Sequence, residues 1–428
     1  DLKMLLEAAT GSSIPRRSNA CGALKVLSTQ KKNQRTLIRT QGFLDALVFA
    51  IKDNYSIGDI EAGEAARTRA VNVVLNVSIR DNRYHVLSHP GLADSLVKCM
   101  MDDKGQAREL ACATLATLAK TQNCRELMAT TPNLVDVLSI ILKGDDPSLS
   151  DKYHPNNLDA HLDEDEEKIN YSGDDEMSHV ISDSYSSSSS TTNSSLGQDS
   201  AEAQEDLETL KRTRMNACAA LLHLSKECSI SRKLCASNTL LSCLVAASKE
   251  ATNPIHTKCL EILANLTRFP HNNVCLVEYP GLIDTLITNG SHKCDTDRLW
   301  SMRILQNLSS ETSAKSILAS SSVLELLSTN MMRPQYKEQL AATATICNIS
   351  TEPGAVVPLT NTKNVVATLV HVAHSPTSVL EVRLIACDTL ATLGLWLQTL
   401  AGAGTIPGGV KASPLPTYIT SGWQRWDK

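Results

Sequence analysis

The sequence predicts an all-α protein built as a stack of similar helical units. The main observation is a short phrase, here called the anchor, that recurs at a nearly constant interval. The eight anchors are Val26-Leu27-Ser28, Asn76-Val77-Ser78, Thr117-Leu118-Ala119, His223-Leu224-Ser225, Asn265-Leu266-Thr267, Asn307-Leu308-Ser309, Asn348-Ile349-Ser350 and Thr392-Leu393-Gly394. Their first residues are 50, 41, 106, 42, 42, 41 and 44 residues apart, and removing a 65-residue polar block at 144–208 reduces the long interval to 41. A period of about 40–47 residues is typical of stacked helical repeats.

Each unit is predicted to contain three helices. Before an anchor, apolar or small residues recur at three- and four-residue spacing, as in 217–224, which indicates a third helix. After an anchor, a polar turn leads into a short first helix, as in 81–87 and 271–276. A Pro-Gly break then precedes an apolar second helix, as in 92–97 and 282–287, because Pro and Gly stop one helix and permit the turn before the next. No stretch of useful length alternates with the period of two that indicates a strand.

This pattern resembles the armadillo family, in the form found in β-catenin, plakophilin and the vacuolar armadillo proteins. The resemblance covers about 330 of the 428 residues. It implies a right-handed α-solenoid of about eight repeats, whose third helices line a concave groove where the anchor asparagines contact the backbone of an extended peptide. The importin-α branch carries Trp four residues before that asparagine, whereas this chain has other residues there, which argues against a nuclear-import receptor. Those residues are Asn72, Glu261, Arg303 and Ala344.

The repeats, the polar block and the chain end suggest four segments. These are N-terminal repeats at 1–143, an acidic Ser-rich insertion at 144–208, C-terminal repeats continuing the same solenoid at 209–400, and an irregular tail at 401–428. The first residues resemble the end of a second helix, so the chain is expected to begin inside a repeat. The tail contains Trp423 and Trp426, which either dock on the last repeat or form a short linear motif.

The insertion is predicted to be disordered. It holds 18 Asp or Glu against Lys152 and Lys168, and such a stretch buries too little apolar surface to offset its ordering entropy. The rest of the chain then has 39 basic and 28 acidic residues, so its net charge is +11, whereas the net charge of the whole chain is −5. The insertion is either a solubilising loop or an acidic competitor for the basic groove. Ser148 and Ser172 each have an acidic residue three positions later and are candidate phosphorylation sites, where phosphate would add negative charge.

Cysteine usage and hydropathy suggest a cytoplasmic or nuclear protein without a metal site, cofactor or transmembrane segment. The thirteen cysteines form no Cys-x-x-Cys motif, and four of them stand five residues before an anchor in a position for small buried side chains. The most apolar stretch, 385–400, contains Asp388 and Gln398 and is shorter than the roughly 20 residues that span a membrane. Four anchors also match the glycosylation motif Asn-x-Ser/Thr, but their position near helix ends makes glycosylation the weaker interpretation.

Arginine recurs nine residues before six of the eight anchors. At 100° per residue this position lies about 180° from the anchor, so these arginines are interpreted as contacts between repeats or at helix starts and not as ligands of a partner. They are Arg17, Arg67, Arg108, Arg214, Arg298 and Arg383.

The anchor face of the third helices is the candidate binding site. Polar side chains dominate it where a core-facing stripe would be apolar, which indicates an open groove. Asparagine offers both a donor and an acceptor to a peptide backbone, Lys and Arg favour acidic partners, and Trp300 offers a flat apolar contact. The candidates are Arg69, Asn72, Asn76, Lys226, Lys258, Asn265, Arg268, Trp300, Arg303, Asn307 and Asn348. The alternative is that polar residues simply solvate a concave surface.

These observations predict a non-enzymatic, monomeric scaffold that binds extended, acidic peptide segments of other proteins. His371 and His374 have no third ligand or general base, and phosphate-loop and serine-hydrolase motifs are absent from the sequence. The alternatives are a nucleic-acid-binding α-solenoid, disfavoured by the single aromatic residue in the groove, and a regulatory subunit of an enzyme complex. Replacing Asn307 and Arg303 is expected to weaken partner binding with little loss of thermal stability.

Overall fold

The described part of the chain is helical throughout. The structure, a computed structural model, describes residues 2–52, 60–144 and 195–401. In these ranges the chain forms α-helices and two short 3₁₀ turns, Arg80–Asn82 and Pro353–Ala355, and no strand. The predicted all-α class is therefore confirmed.

The chain divides into two compact units, Asp1–His223 (unit 1) and Leu224–Lys428 (unit 2). In both, a short first helix, a second helix and a third helix that carries the anchor follow one another, and unit 1 begins on a second helix. The helices of unit 1 are α1 (Leu2–Thr10), α2 (Ile14–Thr29), α3 (Lys31–Arg39), α4 (Phe43–Lys52), α5 (Ile60–Val77), α6 (Arg83–Leu87), α7 (Leu92–Asp102), α8 (Gln106–Leu118), α9 (Gln122–Ala129), α10 (Leu134–Lys143) and α11 (Ser195–Leu224).

Unit 2 repeats the same order of helices four times. Its helices are α12 (Cys228–Ala236), α13 (Asn238–Ala247), α14 (His256–Thr267), α15 (Pro270–Val277), α16 (Leu282–Gly290), α17 (Asp295–Leu308), α18 (Thr312–Leu318), α19 (Ser321–Met331), α20 (Tyr336–Ser350), α21 (Val356–Asn361), α22 (Val365–His374) and α23 (Leu380–Ala401).

Helices of the same kind pack against one another within each unit. In unit 1 the third helices α2, α5 and α8 are in contact in that order, and so are the second helices α1, α4, α7 and α10. In unit 2 the third helices α14, α17, α20 and α23 pack in order, as do the second helices α16, α19 and α22. Buried Leu, Ile, Val, Ala and Cys side chains form the core between them. Each of these helices thus meets its counterpart one anchor interval away, at 41 to 50 residues.

Seven anchors lie at the C-terminal ends of third helices, as predicted. The eighth, Thr392-Leu393-Gly394, lies inside α23, which continues to Ala401. The residues after this anchor are Leu, Trp, Leu, Gln, Thr and Leu, and the next Gly is Gly402. Since neither Gly nor Pro interrupts 395–401, the helix extends past the anchor.

The predicted breaks before second helices are present and have a conformational cause. Gly91 and Gly281, each preceded by Pro, adopt left-handed φ angles of 76° and 77° directly before α7 and α16. Asn133 and Asn364 take the same position before α10 and α22, with φ of 57° and 70°. Gly and Asn tolerate this conformation far better than other residues do, which explains their recurrence at the break.

The predicted insertion 144–208 differs from the structure at both ends. Gly144 caps α10 with a φ of 79°, and the last fourteen residues, 195–208, belong to α11. Residues 201–208 are Ala, Glu, Gln, Asp and Leu, and adding such residues to an existing helix costs little. The disorder predicted for 145–194, including Ser148 and Ser172, lies outside the described residues. So does the irregular tail, apart from Ala401 at the end of α23.

Two further predictions bear on the compartment. No helix in the described ranges is long and apolar enough to cross a membrane, and this includes α23, which contains the stretch 385–400. All thirteen cysteines are free thiols. Of the four that precede an anchor by five residues, Cys21, Cys112 and Cys218 are buried as predicted, whereas Cys387 is exposed.

Candidate partner-binding site

Three anchor asparagines of unit 2 lie near the C-terminal ends of the successive third helices α14, α17 and α20. Asn265, Asn307 and Asn348 are only 6%, 7% and 6% exposed. A buried amide needs hydrogen-bond partners inside the protein, because water cannot supply them. The row predicted from the 42- and 41-residue spacing is thus present, but it lies largely beneath the surface.

Each of these asparagines donates a hydrogen bond to the hydroxyl of the preceding anchor. Nδ2 of Asn265 lies 3.0 Å from Oγ of Ser225, and Nδ2 of Asn307 lies 3.0 Å from Oγ1 of Thr267. Nδ2 of Asn348 lies 3.0 Å from Oγ of Ser309. In Asn-x-Ser/Thr, the asparagine therefore bonds to the helix before it while the hydroxyl accepts from the helix after it. We call this row the asparagine ladder.

The hydroxyls fix the direction of these bonds. Oγ1 of Thr267 donates to the Ala264 carbonyl at 2.9 Å, and Oγ of Ser309 donates to the Gln306 carbonyl at 2.7 Å. A hydroxyl has one hydrogen, so once it donates to its own helix its oxygen can only accept from asparagine. The same arrangement occurs in unit 1, where Asn76 donates to Ser28 at 3.0 Å.

The ladder corrects one expectation. Replacement of Asn307 was expected to cost little stability, but this amide bonds to Thr267 and also lies 3.4 Å from the Ala264 carbonyl in a buried setting. Losing such bonds costs free energy of unfolding. Contact between these amides and a partner's backbone remains a prediction.

Charged and aromatic candidates of unit 2 lie beside the ladder at intermediate exposure. Lys258 is on α14, Arg268 caps its C-terminus, and Trp300 and Arg303 are on α17. The guanidinium of Arg303 lies 5.0 Å from the centroid of the Trp300 ring, within the range of a cation–π contact. The positive charge of Arg303 therefore lies over one face of the Trp300 ring, and the ring offers a partner less apolar surface than the sequence suggested.

Lys226 is less available than the sequence suggested. Its ammonium lies 3.8 Å from a carboxylate oxygen of Glu261, and the two side chains are 40% and 27% exposed. An acidic partner would have to compete with Glu261 for this charge.

The three candidates of unit 1 form a separate network with α2. Arg69 donates from Nη1 to Oγ of Ser18 at 2.7 Å and to the Ser18 carbonyl at 3.0 Å. Asn72 accepts from Nδ2 of Asn76 at 3.1 Å. These side chains hold α5 against α2, which favours a structural role for them.

Four of the six recurrent arginines donate to carbonyls at helix ends, on the side away from the anchor face. Arg298 is 2% exposed and donates to the carbonyls of His292 and Lys293, at 2.9 and 2.6 Å, just after α16. Its Nε also lies 3.0 Å from a carboxylate oxygen of Glu338 on the next third helix. Burial by itself would lower the pKa of Arg298, but the bonds to Glu338 and Asp295 outweigh it and raise the pKa. The arginine therefore stays charged and joins two helix groups.

Three other arginines of this row repeat the contact. Arg17 donates to the Gly11 carbonyl at 2.7 Å, Arg214 to Leu142 at 3.1 Å and Arg383 to Ala373 at 3.2 Å. Each acceptor lies at or just after the end of a second helix, where carbonyls lack partners within the helix. Arg67 instead pairs with Asp103. Arg67 and Arg298 therefore join successive helix groups, as predicted. The other three join the second and third helices of one group instead.

Sequence reasoning missed a second row of asparagines, on the second helices. Asn289 donates from Nδ2 to the Ser248 carbonyl at 2.6 Å, and Asn330 donates to the Gly290 carbonyl at 3.1 Å. Both are buried, at 3% and 1% exposure. Their 41-residue spacing matches the anchor period and could have revealed them.

The His-x-x-His pair lies at the surface of a second helix. His371 and His374 are exposed on α22, and Nδ1 of His374 lies 2.9 Å from the carbonyl oxygen of Val370 in its own helix. Across the part of the chain that the structure describes, no group of three or more His, Cys, Asp or Glu is arranged to hold a metal ion.

Comparison with known proteins does not assign a family. No protein-family model matches the chain, and no curated protein matches it. Among solved structures the chain is similar to an engineered protein at 14% identity, with 92% of this chain and 98% of that chain covered and a TM-score of 0.38. A second engineered protein has 13% identity, coverage of 71% and 97%, and a TM-score of 0.45. Similarity at this level carries no functional argument.

Proposed function

We propose that this chain is an armadillo-type, right-handed α-solenoid of about eight repeats that acts as a non-catalytic scaffold. It binds extended, acidic peptide segments of other proteins along the anchor faces of its third helices. Its thirteen free thiols favour a reducing compartment, the cytoplasm or nucleus.

The observation that carries the proposal is the asparagine ladder with its charged flank. The ladder joins α14, α17 and α20 at equivalent positions, so the asparagines recur with the period of the helices. A bound strand presents polar groups at regular intervals, which a periodic row of this kind matches. Lys258 and Arg268, seven residues before and three after Asn265, and Arg303, four residues before Asn307, are partly exposed and form a basic flank beside the row.

The chemistry of the flank selects the partner. Partly exposed Lys and Arg raise the association rate and the selectivity for acidic segments more than they raise the intrinsic affinity. The Trp300 ring, with the Arg303 guanidinium over it, adds a site for an apolar side chain of the peptide that has acidic neighbours. Single-stranded nucleic acid needs aromatic side chains for successive bases, and this flank has only Trp300.

A charge-reversal experiment tests the proposal. The full-length variant Lys258→Glu/Arg303→Glu is titrated against a fluorescent, extended Glu-rich peptide and against a single-stranded RNA at several salt concentrations. We expect peptide affinity to fall about tenfold, or about 1.4 kcal/mol, with unchanged helix content by circular dichroism.

The matched control reverses two exposed lysines of the same unit away from the anchor face, Lys249→Glu and Lys363→Glu. It should bind the peptide like the parent protein. Equal losses in both variants would show that net charge alone drives binding, and a steep salt dependence with RNA together with weak peptide binding would favour the nucleic-acid function.

A further inference from the structure

Helix α23 exposes an apolar stripe. Leu380 and Leu384 are 64% and 54% exposed, and Cys387 and Ala391 are also exposed. Their spacing of four, three and four residues places all four side chains on one side of the helix. The stripe does not belong to the basic flank, whose residues lie on the anchor faces of α14 and α17.

The corresponding residues of the preceding third helix are buried. The last two anchors are 44 residues apart, so Leu384, Cys387 and Ala391 correspond to Leu340, Thr343 and Cys347 of α20. These three are 9%, 0% and 1% exposed. Cys347 interacts with Thr389 of α23, so this side of a third helix is the side that the next third helix covers.

Helix α22 shows the same contrast. Val366 and Val370 are 37% and 43% exposed, whereas Leu324 and Ser328, which precede them by 42 residues on α19, are 0% and 5% exposed. Oγ of Ser328 lies 3.0 Å from Oγ1 of Thr368 on α22. This side of a second helix is therefore the side that the next second helix covers.

The exposed residues of α22 and α23 together form what we call the end face. It consists of Val366, Val370, Leu380, Leu384, Cys387 and Ala391. Apolar patches shared by several side chains mark sites of association, and a helix group of a stack buries such a face only where another element packs on it.

The segment that follows α23 has the length and composition to cover the end face. Residues 402–428 begin directly after Ala401, and two of the four tryptophans of the chain, Trp423 and Trp426, lie among the last six residues. Five Gly and three Pro among these 27 residues give the segment a low helix propensity. Fully extended they would span about 90 Å, whereas the stripe from 380 to 391 is about 16 Å long.

We propose that the end face binds the chain's own segment 402–428, with Trp423 and Trp426 packing on the apolar side chains of α22 and α23. The covalent connection gives the segment an effective concentration of the order of 1 mM. A contact with an intrinsic dissociation constant of about 0.1 mM is then occupied about 90% of the time. This intramolecular cover is separate from partner binding at the asparagine ladder and does not depend on it.

Cys387 provides the test, because it lies within the end face while Cys294, also exposed, precedes α17. The full-length protein is treated with iodoacetamide at native pH, and the alkylation rates of the two cysteines are followed by mass spectrometry. We expect Trp423→Ser/Trp426→Ser to raise the rate at Cys387 about tenfold and to leave Cys294 unchanged. The control Ser413→Ala/Thr420→Ala alters the same segment without removing an aromatic ring and should leave both rates unchanged.

A second variant tests the other side of the contact. Leu384→Glu should raise the rate at Cys387 and shift the tryptophan emission of the full-length chain to longer wavelength. Val357→Glu, at a 57% exposed valine of α21 outside the end face, should do neither. An unchanged rate at Cys387 in both tryptophan and Leu384 variants would overturn the proposal. Protection that grows with protein concentration would also overturn it, because a second copy would then be the occupant.

Discussion

The asparagine ladder predicts a measurable loss of stability when one rung is removed. Asn307→Ala deletes the 3.0 Å bond to Thr267, whose side chain is 1% exposed, and the weaker 3.4 Å contact with the Ala264 carbonyl. A hydrogen bond contributes about 0.5–1.5 kcal/mol, and leaving a buried acceptor without a donor adds about 1–3 kcal/mol. Because Thr267 keeps its bond to its own helix, we expect a loss in the lower part of the combined range of about 1.5–4.5 kcal/mol, about 2 kcal/mol.

The assay is urea unfolding of the full-length protein, followed by circular dichroism at a helical wavelength. In a unit of about 200 residues this loss corresponds to a fall in melting temperature of about 4–8 °C. The variant Thr267→Val keeps the shape of the side chain but removes the acceptor. Combined with Asn307→Ala it should cost less than the sum of the single changes, with a coupling of about 1 kcal/mol.

A charge variant sharpens the same prediction. Asn307→Asp keeps the shape of the side chain but places a carboxylate oxygen against the Thr267 oxygen, so it should destabilise more than alanine at neutral pH. Part of the loss should return in acid, where a protonated carboxyl can donate. If Asn307→Ala changes the free energy of unfolding by less than about 0.5 kcal/mol and shows no coupling with Thr267→Val, the ladder does not join the helices energetically.

Three further predictions concern the scaffold. Arg298→Gln should lower the free energy of unfolding in urea by about 3–5 kcal/mol, because it leaves the carboxylate of Glu338, 2% exposed, buried without its partner. The control Arg35→Gln, at a surface ion pair whose side chains are 75% and 86% exposed, should change it by less than about 0.5 kcal/mol. Equal effects would refute the structural role of the arginine row. Gly281→Ala should cost about 1–2 kcal/mol by thermal unfolding because φ is 77°, and Gly281→Asn should cost clearly less, since Asn133 and Asn364 take that conformation. Burial raises the pKa of Cys112 to about 12. At pH 8 its thiol should therefore resist iodoacetamide in the native protein, while the exposed Cys294 reacts. Fast alkylation of Cys112 without unfolding would contradict its burial.

The sequence predicted the helices well because their signals are local. Apolar periodicity before Asn265 and Asn307, and Pro-Gly at 90–91 and 280–281, act within a few residues of the structure they specify. The prediction was wrong where such signals were weak. Residues 201–208 carry four acidic side chains, yet they extend α11 because helix formers are easily added to a packed helix.

The candidate site could be located from the sequence but not interpreted fully. Spacing placed Asn265, Asn307 and Asn348 at equivalent helix positions, and this was sufficient to predict a row. The spacing did not indicate whether the asparagine side chains face solvent or the preceding third helix. Solvent and that helix lie close to the same side of a third helix. The hydroxyls that accept from them belong to the third residue of the preceding anchor, about 40 residues away, and only packing brings them together.

The sequence by itself therefore determined the helical class, the period, the breaks and the positions that recur, because each depends on residues close together along the chain. Tertiary structure decided which recurrent residues are buried and which are exposed. Thr343 and Cys387 occupy the same position in successive third helices, yet the first is 0% exposed and the second is open to solvent. The difference arises from the neighbour and not from the residue: α23 packs over α20, and no described helix packs over that side of α23.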